Sequence, residues 1–215
     1  MEDPLVQQAE LIITSPMRRT IQTALASVDW LIKKGVKIEA DADWQGMSHL
    51  SFVKKCVCAV PKRELTLRLI ENSNKPCDIG NPIPKVAEEF PSIDYSTVDP
   101  VWPDKTSPTG SRYHYAKAAI LARGQSALKK LYERPEKVIV VVSHSGFLRV
   151  GVTGCWFFNA DYRIFDFAAM ESPGDGPYRL VQHASTEERG GGLGRSLTVQ
   201  VALGDNLPDE VPEDE

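Results

Sequence analysis

The sequence predicts an α/β protein built around a parallel sheet. Residues 11–14, L-I-I-T, form a short apolar strand candidate, and a segment with helical apolar spacing follows it. Residues 138–142, V-I-V-V-V, form a β-branched run that predicts a parallel strand buried on both faces. Because strands alternate with helices along the chain, we expect an α/β sheet. Ligands of such sheets bind beyond the carboxyl ends of the strands, which here are residues 15–19 and 143–146.

The helix after the first strand has recognisable start and end signals. Ser15 is a candidate N-cap, and Pro16 suits the first helical position. Gly35 is a candidate for the residue that ends the helix. The apolar stripe between them is formed by Met17, Ile21, Ala24, Leu25, Val28 and Ile32.

The rest of the chain continues the alternation of helices and strands. Residues 72–110 are rich in Pro, Asn, Asp, Ser and Thr and predict a long loop. The further predicted elements are a short helix near 84–90, a long helix over 111–133 and two strands over 164–168 and 178–182. The acidic residues 206–215 predict a frayed tail, so the single predicted domain is 1–205.

Composition excludes several classes of protein. The 215 residues are 42% hydrophobic and 25% charged, which is typical of a soluble chain with a sizeable core. The net charge of −4 argues against a nucleic-acid partner bound by bulk charge. No apolar run is long enough for a bilayer and no signal-peptide pattern is visible, so we expect a cytoplasmic protein without a membrane partner.

No metal site and no cofactor is predicted. The four cysteines match no zinc or redox spacing, and we expect reduced thiols. The glycine run at 190–194 lacks the strand-to-helix context of a dinucleotide site and predicts a loop.

Three residues at the strand ends have the chemistry of an anion site. Arg18 and Arg19 lie near a helix start, which attracts anions, and guanidinium groups make bidentate phosphate contacts. His144 follows the second strand, where it could donate a hydrogen bond to phosphate or transfer a proton. By position alone, one arginine is better explained as a solvated surface residue, and His144 as a hydrogen-bonded turn residue.

Taken together, these segments resemble the histidine phosphatase superfamily, the phosphoglycerate-mutase-like proteins. Residues 15–24, S-P-M-R-R-T-I-Q-T-A, resemble the family motif S-x-L-x-R-A-x-Q-T-A. Residues 140–148, V-V-V-S-H-S-G-F-L, resemble its second histidine motif. Segments that resemble the fungal branch of the family are 74–80, 162–167 and 189–196. The resemblance implies a three-layer α/β/α phosphoglycerate-mutase-like sheet.

The resemblance also implies a reaction and residue roles. The family transfers phosphoryl groups through a phosphohistidine, without a metal. Arg19 matches the phosphate-binding arginine of the motif and His144 the second histidine, whereas Arg18 occupies a variable position. Glu71 is the candidate general acid, with Asp78 as the alternative. The implied substrate is a phosphorylated small molecule or a phosphoprotein, and nothing in the sequence selects between them.

The family's nucleophile is the histidine of an R-H-G motif, which this sequence does not contain. None of its histidines follows an arginine and precedes a glycine: His49, His114, His144 and His183. The resemblance therefore implies an N-terminally truncated fold without its central first strand, and loss of the covalent mechanism. Three hypotheses stay open: an enzyme recorded without its N-terminal part, a pseudophosphatase that binds anions or regulates, and a non-functional shortened product.

Residues 46–70 match nothing in the family. Without them, residues 43–45 would join 71–78 and restore the family pattern L-Q-E-x-S-x-x-P-C-D, with Trp44 at the leucine position. The segment ends are also compatible with splice sites, since Gly46-Met47 and Ile70-Glu71 have codons that contain a donor and an acceptor. We interpret the segment as a translated intron. A genuine surface insertion is the alternative, because long loops cost little stability.

Overall fold

A parallel three-stranded sheet lies at the centre of the fold. The computed structural model describes residues 4–46, 80–170 and 176–210. The strands are β1 (Leu11–Thr14), β2 (Lys37–Ala40) and β3 (Ile139–Val142), in the spatial order β2-β1-β3. The central strand β1 is buried at all four residues and pairs in parallel with both neighbours. The predicted parallel sheet is thus confirmed, and β2 is a strand that the sequence analysis did not assign.

Helices cover both faces of this sheet. They are α1 (Arg18–Ser27), α2 (Asp29–Lys33), α3 (Ile83–Glu89) and α4 (Lys117–Tyr132). Because successive side chains of a strand point to opposite faces, Ile12 joins the core formed with α1, α2 and α3, and Leu11 and Ile13 join the core formed with α4. This mixed α/β arrangement is consistent with a phosphoglycerate-mutase-like fold.

Shorter elements complete the described chain. A helical turn α5 (Ser145–Phe147) follows β3 and continues into a π-helical segment (Leu148–Thr153). Two strands, β4 (Phe165–Phe167) and β5 (Leu180–Gln182), form an antiparallel pair within the predicted strand ranges. The remaining elements are α6 (Ala184–Glu187) and the 3-10 turns Val6–Gln8, Ala42–Trp44 and Ser111–Tyr113.

The predicted helix start at Ser15 is wrong. The helix begins at Arg18, because Met17 is still extended, with φ −71° and ψ 133°. Ser15 is fully buried at the end of β1, where its hydroxyl accepts a hydrogen bond from the Met17 N–H. The helix also breaks at Val28, whose φ of −130° separates α1 from α2.

Two other helix boundaries bear on the sequence predictions. Gly35 has a φ of +88°, and the Val36 N–H next to it donates to the Leu31 carbonyl, so glycine ends α2 as predicted. The predicted helix over 111–133 begins only at Lys117, because Ala116 is extended and residues 111–113 form a separate turn.

Strand β3 differs from the prediction in its burial. All four of its residues are only half-buried, although they alternate between the two cores. The reason is that β3 forms an edge of the sheet within the described part of the chain. A cleft of about 910 Å³ runs along that edge.

The first residues of the predicted tail lie against the domain. The carbonyl of Pro208 accepts a hydrogen bond from the Lys117 N–H at the start of α4, and Leu207 packs against the core on that side. The candidate insertion 46–70 lies outside the described residues except for Gly46. Among the described helices, none is long and apolar enough to cross a bilayer.

We expect Gly124→Ala to destabilise the fold. A Cβ at Gly124 in α4 would overlap the backbone carbonyl oxygen of Gly151 in the π-helical segment. Overpacking costs about 1–3 kcal/mol, and a clash with backbone belongs at the upper end of that range, above the gain in helix propensity of about 1 kcal/mol. Urea denaturation should show a lower free energy of unfolding. Gly35→Ala is the control, since its Cβ would meet open space and only its positive φ is strained; a smaller loss for Gly124→Ala than for this control would contradict the packing argument.

Candidate anion site at the sheet edge

Arg19 and His144 meet at the carboxyl edge of the sheet. Because β1 and β3 are adjacent and parallel, the segments that follow them emerge side by side. The Arg19 Nη2 atom lies 3.2 Å from the His144 Nδ1 atom. The two motif residues are therefore in direct contact.

The hydrogen-bond partners of His144 determine which ring nitrogen carries the proton, and its surroundings determine its charge. Its Nε2 atom lies 3.1 Å from the Ser15 hydroxyl, and its Nδ1 atom faces Arg19. A guanidinium only donates hydrogen bonds, so Nδ1 accepts and Nε2–H donates to Ser15. Burial lowers the pKa of His144 well below its ordinary value, and the cationic groups of Arg19, Lys105 and Arg123 lower it further. The imidazole is thus a neutral hydrogen-bond donor at neutral pH.

Gly46 and Lys105 form another wall of the site. A Cβ on Gly46 would lie 3.3 Å from His144 Nδ1 and 3.4 Å from Arg19 Nη2, so the Gly46 backbone packs directly against the pair. The buried Lys105 ammonium lies 3.4 Å from the Gly46 carbonyl oxygen. Sequence analysis missed both residues, because neither belongs to a motif and their places near His144 depend on loops.

Some buried polar side chains near this edge have no hydrogen-bond partner among the described residues. They include the amide of Gln45 and the guanidinium of Arg123. Arg123 lies 4.3 Å from the centroid of the Phe147 ring, and burial lowers its pKa to about 10, so it stays cationic at neutral pH. The carboxylate of Asp43, which acts on it electrostatically, already accepts hydrogen bonds from Arg112 and Ser126. The charged groups that act on His144 are therefore cations, as an anion site requires.

Arg18 and Arg19 have different environments although they are adjacent. The Arg18 side chain is 59% exposed and pairs with Glu89 at 2.6 Å on the surface. Surface pairs of this kind contribute little stability. The structure therefore resolves the ambiguity of the sequence: Arg18 is the surface residue, and Arg19 belongs to the site.

The remaining candidate residues do not join this cluster. Glu71 and Asp78 lie outside the described residues, so the general acid stays a prediction. The ring of His114 bonds the Ser107 carbonyl, and the ring of His183 bonds Ser185 at the start of α6. Within the described ranges, no group of His, Cys, Asp and Glu could hold a metal ion.

We expect the buried neutral His144 to make stability depend on pH. In the unfolded chain the imidazole takes up a proton near pH 6.5, whereas the lowered pKa keeps the folded form neutral. The contribution of the neutral His144 to the free energy of unfolding is therefore fully present above pH 6.5. Below that pH it falls by up to about 1.4 kcal/mol per pH unit. Urea denaturation at pH 7.5 and 5.5 measures this loss. His144→Gln should reduce it, and an identical pH dependence in both proteins would show that His144 is not the cause.

Two proteins of Arabidopsis thaliana are similar in sequence to this chain. A "Phosphoglycerate mutase-like protein" is 31% identical over 156 residues, which cover 67% of this chain and 52% of the relative. A "Phosphoglycerate mutase-like protein 1" is 27% identical over 154 residues, which cover 67% and 50%. The chain thus spans about half the length of these relatives, and no family model and no solved structure matches it. The chain is a homologue of phosphoglycerate mutase-like proteins, which supports its assignment to the histidine phosphatase superfamily.

Proposed function

We propose that this chain binds the phosphoryl group of a phosphomonoester between Arg19 and His144. The observation that carries the proposal is their direct contact at the carboxyl edge of a parallel sheet. A guanidinium offers paired donors that match phosphate oxygens. The Nε2–H of the neutral His144 donates to Ser15 here, and it would become a further donor if it turned from Ser15 to the ligand. Lys105, close to the same edge, increases the attraction for a dianion.

We further propose that these 215 residues do not form a phosphohistidine. The family's covalent step needs the R-H-G histidine, which this sequence lacks. His144 is a poor replacement, because its unprotonated Nδ1 faces Arg19 and its Nε2–H faces Ser15. In a catalytically complete relative, phosphomonoester hydrolysis or phosphoryl transfer would also use an acid in the place of Glu71 or Asp78.

A non-catalytic role is the second candidate. The same cluster holds together without the nucleophile, so the chain would act as a pseudophosphatase that binds a phosphorylated small molecule or a phosphoprotein. We also propose that the chain belongs to the fungal branch of the family, because segments 74–80, 162–167 and 189–196 resemble that branch.

We expect Arg19→Ala to weaken phosphate binding, whereas Arg18→Ala should leave it unchanged. A charge-assisted hydrogen bond contributes about 1.5–3 kcal/mol, so the loss for Arg19→Ala should be roughly 10- to 100-fold. Calorimetric titration with inorganic phosphate or vanadate measures both variants. Arg18 is the matched control, since it is the same residue type one position away and pairs with Glu89 at the surface. Equal affinities for the two variants would refute Arg19 as the anion ligand.

We expect no phosphoenzyme and negligible hydrolysis of an aryl phosphate by this chain. The physical reason is that a covalent mechanism without its nucleophile loses orders of magnitude in rate. Acid-quenched labelling with a ³²P-phosphomonoester and a release assay for p-nitrophenol provide the two readouts. A version with an added R-H-G strand is the positive comparison. Robust turnover by the unmodified chain that disappears in His144→Ala would overturn the proposal and make His144 the nucleophile.

A further inference from the structure

The hydrogen-bond donors of the Arg19–His144 pair are distributed unevenly. The Arg19 guanidinium donates to the unprotonated Nδ1 atom of His144, and the two nitrogens are 3.2 Å apart. The protonated Nε2 atom instead donates to the Ser15 hydroxyl, 3.1 Å away. The ring nitrogen beside the guanidinium therefore carries a lone pair and no hydrogen.

The imidazole ring is held in this orientation from two sides. Ser15 is fully buried at the end of β1, where its hydroxyl also accepts the Met17 N–H. The Gly46 backbone packs against the ring, and a Cβ there would lie 3.3 Å from Nδ1. An anion that replaces the Arg19 guanidinium as the neighbour of His144 therefore meets Nδ1, unless the ring turns and loses its bond to Ser15.

An anion at this place has an unfavourable contact with the neutral ring. The oxygens of a dianion only accept hydrogen bonds, and the unprotonated Nδ1 atom of His144 also only accepts. Their approach would bring two lone pairs together. A proton on Nδ1 turns this repulsion into a charge-assisted hydrogen bond, and it leaves the bond from Nε2 to Ser15 unchanged.

The charges around His144 explain why this proton is absent from the free site. The ring is faced by the cationic groups of Arg19 on α1, Lys105 in the loop after α3 and Arg123 on α4. Burial and these cations lower the pKa of His144 well below its ordinary value. A bound dianion offsets the cations and adds the opposite charge beside the ring, so it raises that pKa again.

We propose that the site binds an anion together with one proton. The Nδ1 atom of His144 takes this proton from solvent when an anion oxygen replaces the Arg19 guanidinium as its hydrogen-bond partner. The occupied site then holds an imidazolium, which donates to the anion from Nδ1 and to Ser15 from Nε2. The inference rests on the proposed function and adds how pH regulates the site: affinity rises as pH falls, whereas the contribution of His144 to stability falls.

Sulfate is the probe, because it is a tetrahedral dianion that does not itself titrate near neutral pH. Calorimetric titrations at pH 7.5, 6.5 and 5.5, in buffers of different ionisation enthalpy, measure the affinity and the number of protons taken up. We expect the affinity to rise by up to about tenfold for each pH unit, with uptake of about one proton per sulfate.

Two histidine variants provide the comparison. His144→Asn keeps a side-chain donor that does not titrate, so its sulfate affinity should not depend on pH. His114→Gln is the matched control, since His114 lies outside the site and bonds the Ser107 carbonyl. This control should keep the pH dependence of the unmodified chain, and its loss there would overturn the role of His144.

Nuclear magnetic resonance of the ring nitrogens tests the inference in the unmodified chain. In ¹⁵N-histidine-labelled protein at pH 6.5, we expect one protonated nitrogen in free His144 and two in the sulfate complex. Sulfate binding that is independent of pH and leaves the ring neutral would overturn the inference alone and leave the proposed anion site intact. If neither sulfate nor inorganic phosphate binds at any of these pH values, the proposed anion site itself is wrong.

Discussion

The parallel pairing of β1 with β3 is the constraint on which the rest of the structure depends. It places Thr14 opposite Val142, and the Ser15 N–H extends the ladder by one further hydrogen bond to the Val142 carbonyl. Segments that are 125 residues apart in sequence thereby leave the sheet at one place. A shift of this register would move Arg19 relative to His144, because each of them follows one strand of this pair.

Two cationic side chains of the candidate site, Lys105 and Arg123, are buried. His144 is neutral because burial and nearby cations oppose its protonation, and Arg123 stays cationic although it is buried. Its contact with the Phe147 ring offsets part of the cost of burying that charge. Burial of cationic groups is unfavourable for folding. The same buried charges favour binding of a dianion, since a bound phosphoryl group would neutralise several of them at once.

Strand β3 forms an open edge of the sheet within the described residues. An exposed strand edge of β-branched residues is an aggregation hazard that proteins normally cover. Here the adjoining walls turn it into a cleft instead of a flat surface, and the anion site lies at one end of it. The four residues of β3 are half-buried along this edge.

The sequence by itself determined the elements whose signals are local. The apolar runs predicted β1, β3, β4 and β5, Gly35 marked the end of α2, and two short motifs singled out Arg19 and His144. Similarity to two phosphoglycerate mutase-like proteins agrees with the family that these motifs suggested.

Only the tertiary structure decided what each of these residues does. Helix periodicity cannot distinguish Arg18 from Arg19, because they are adjacent and differ only in what approaches them: Glu89 at the surface or His144 at the sheet edge. Serine is a residue type favoured at helix N-caps. Ser15 is instead a partner of the imidazole, because the backbone at Met17 is extended and His144 approaches it. The contact of Gly46 with the pair likewise arises from chain segments that meet only on folding, and a local pattern contains no information about such distances.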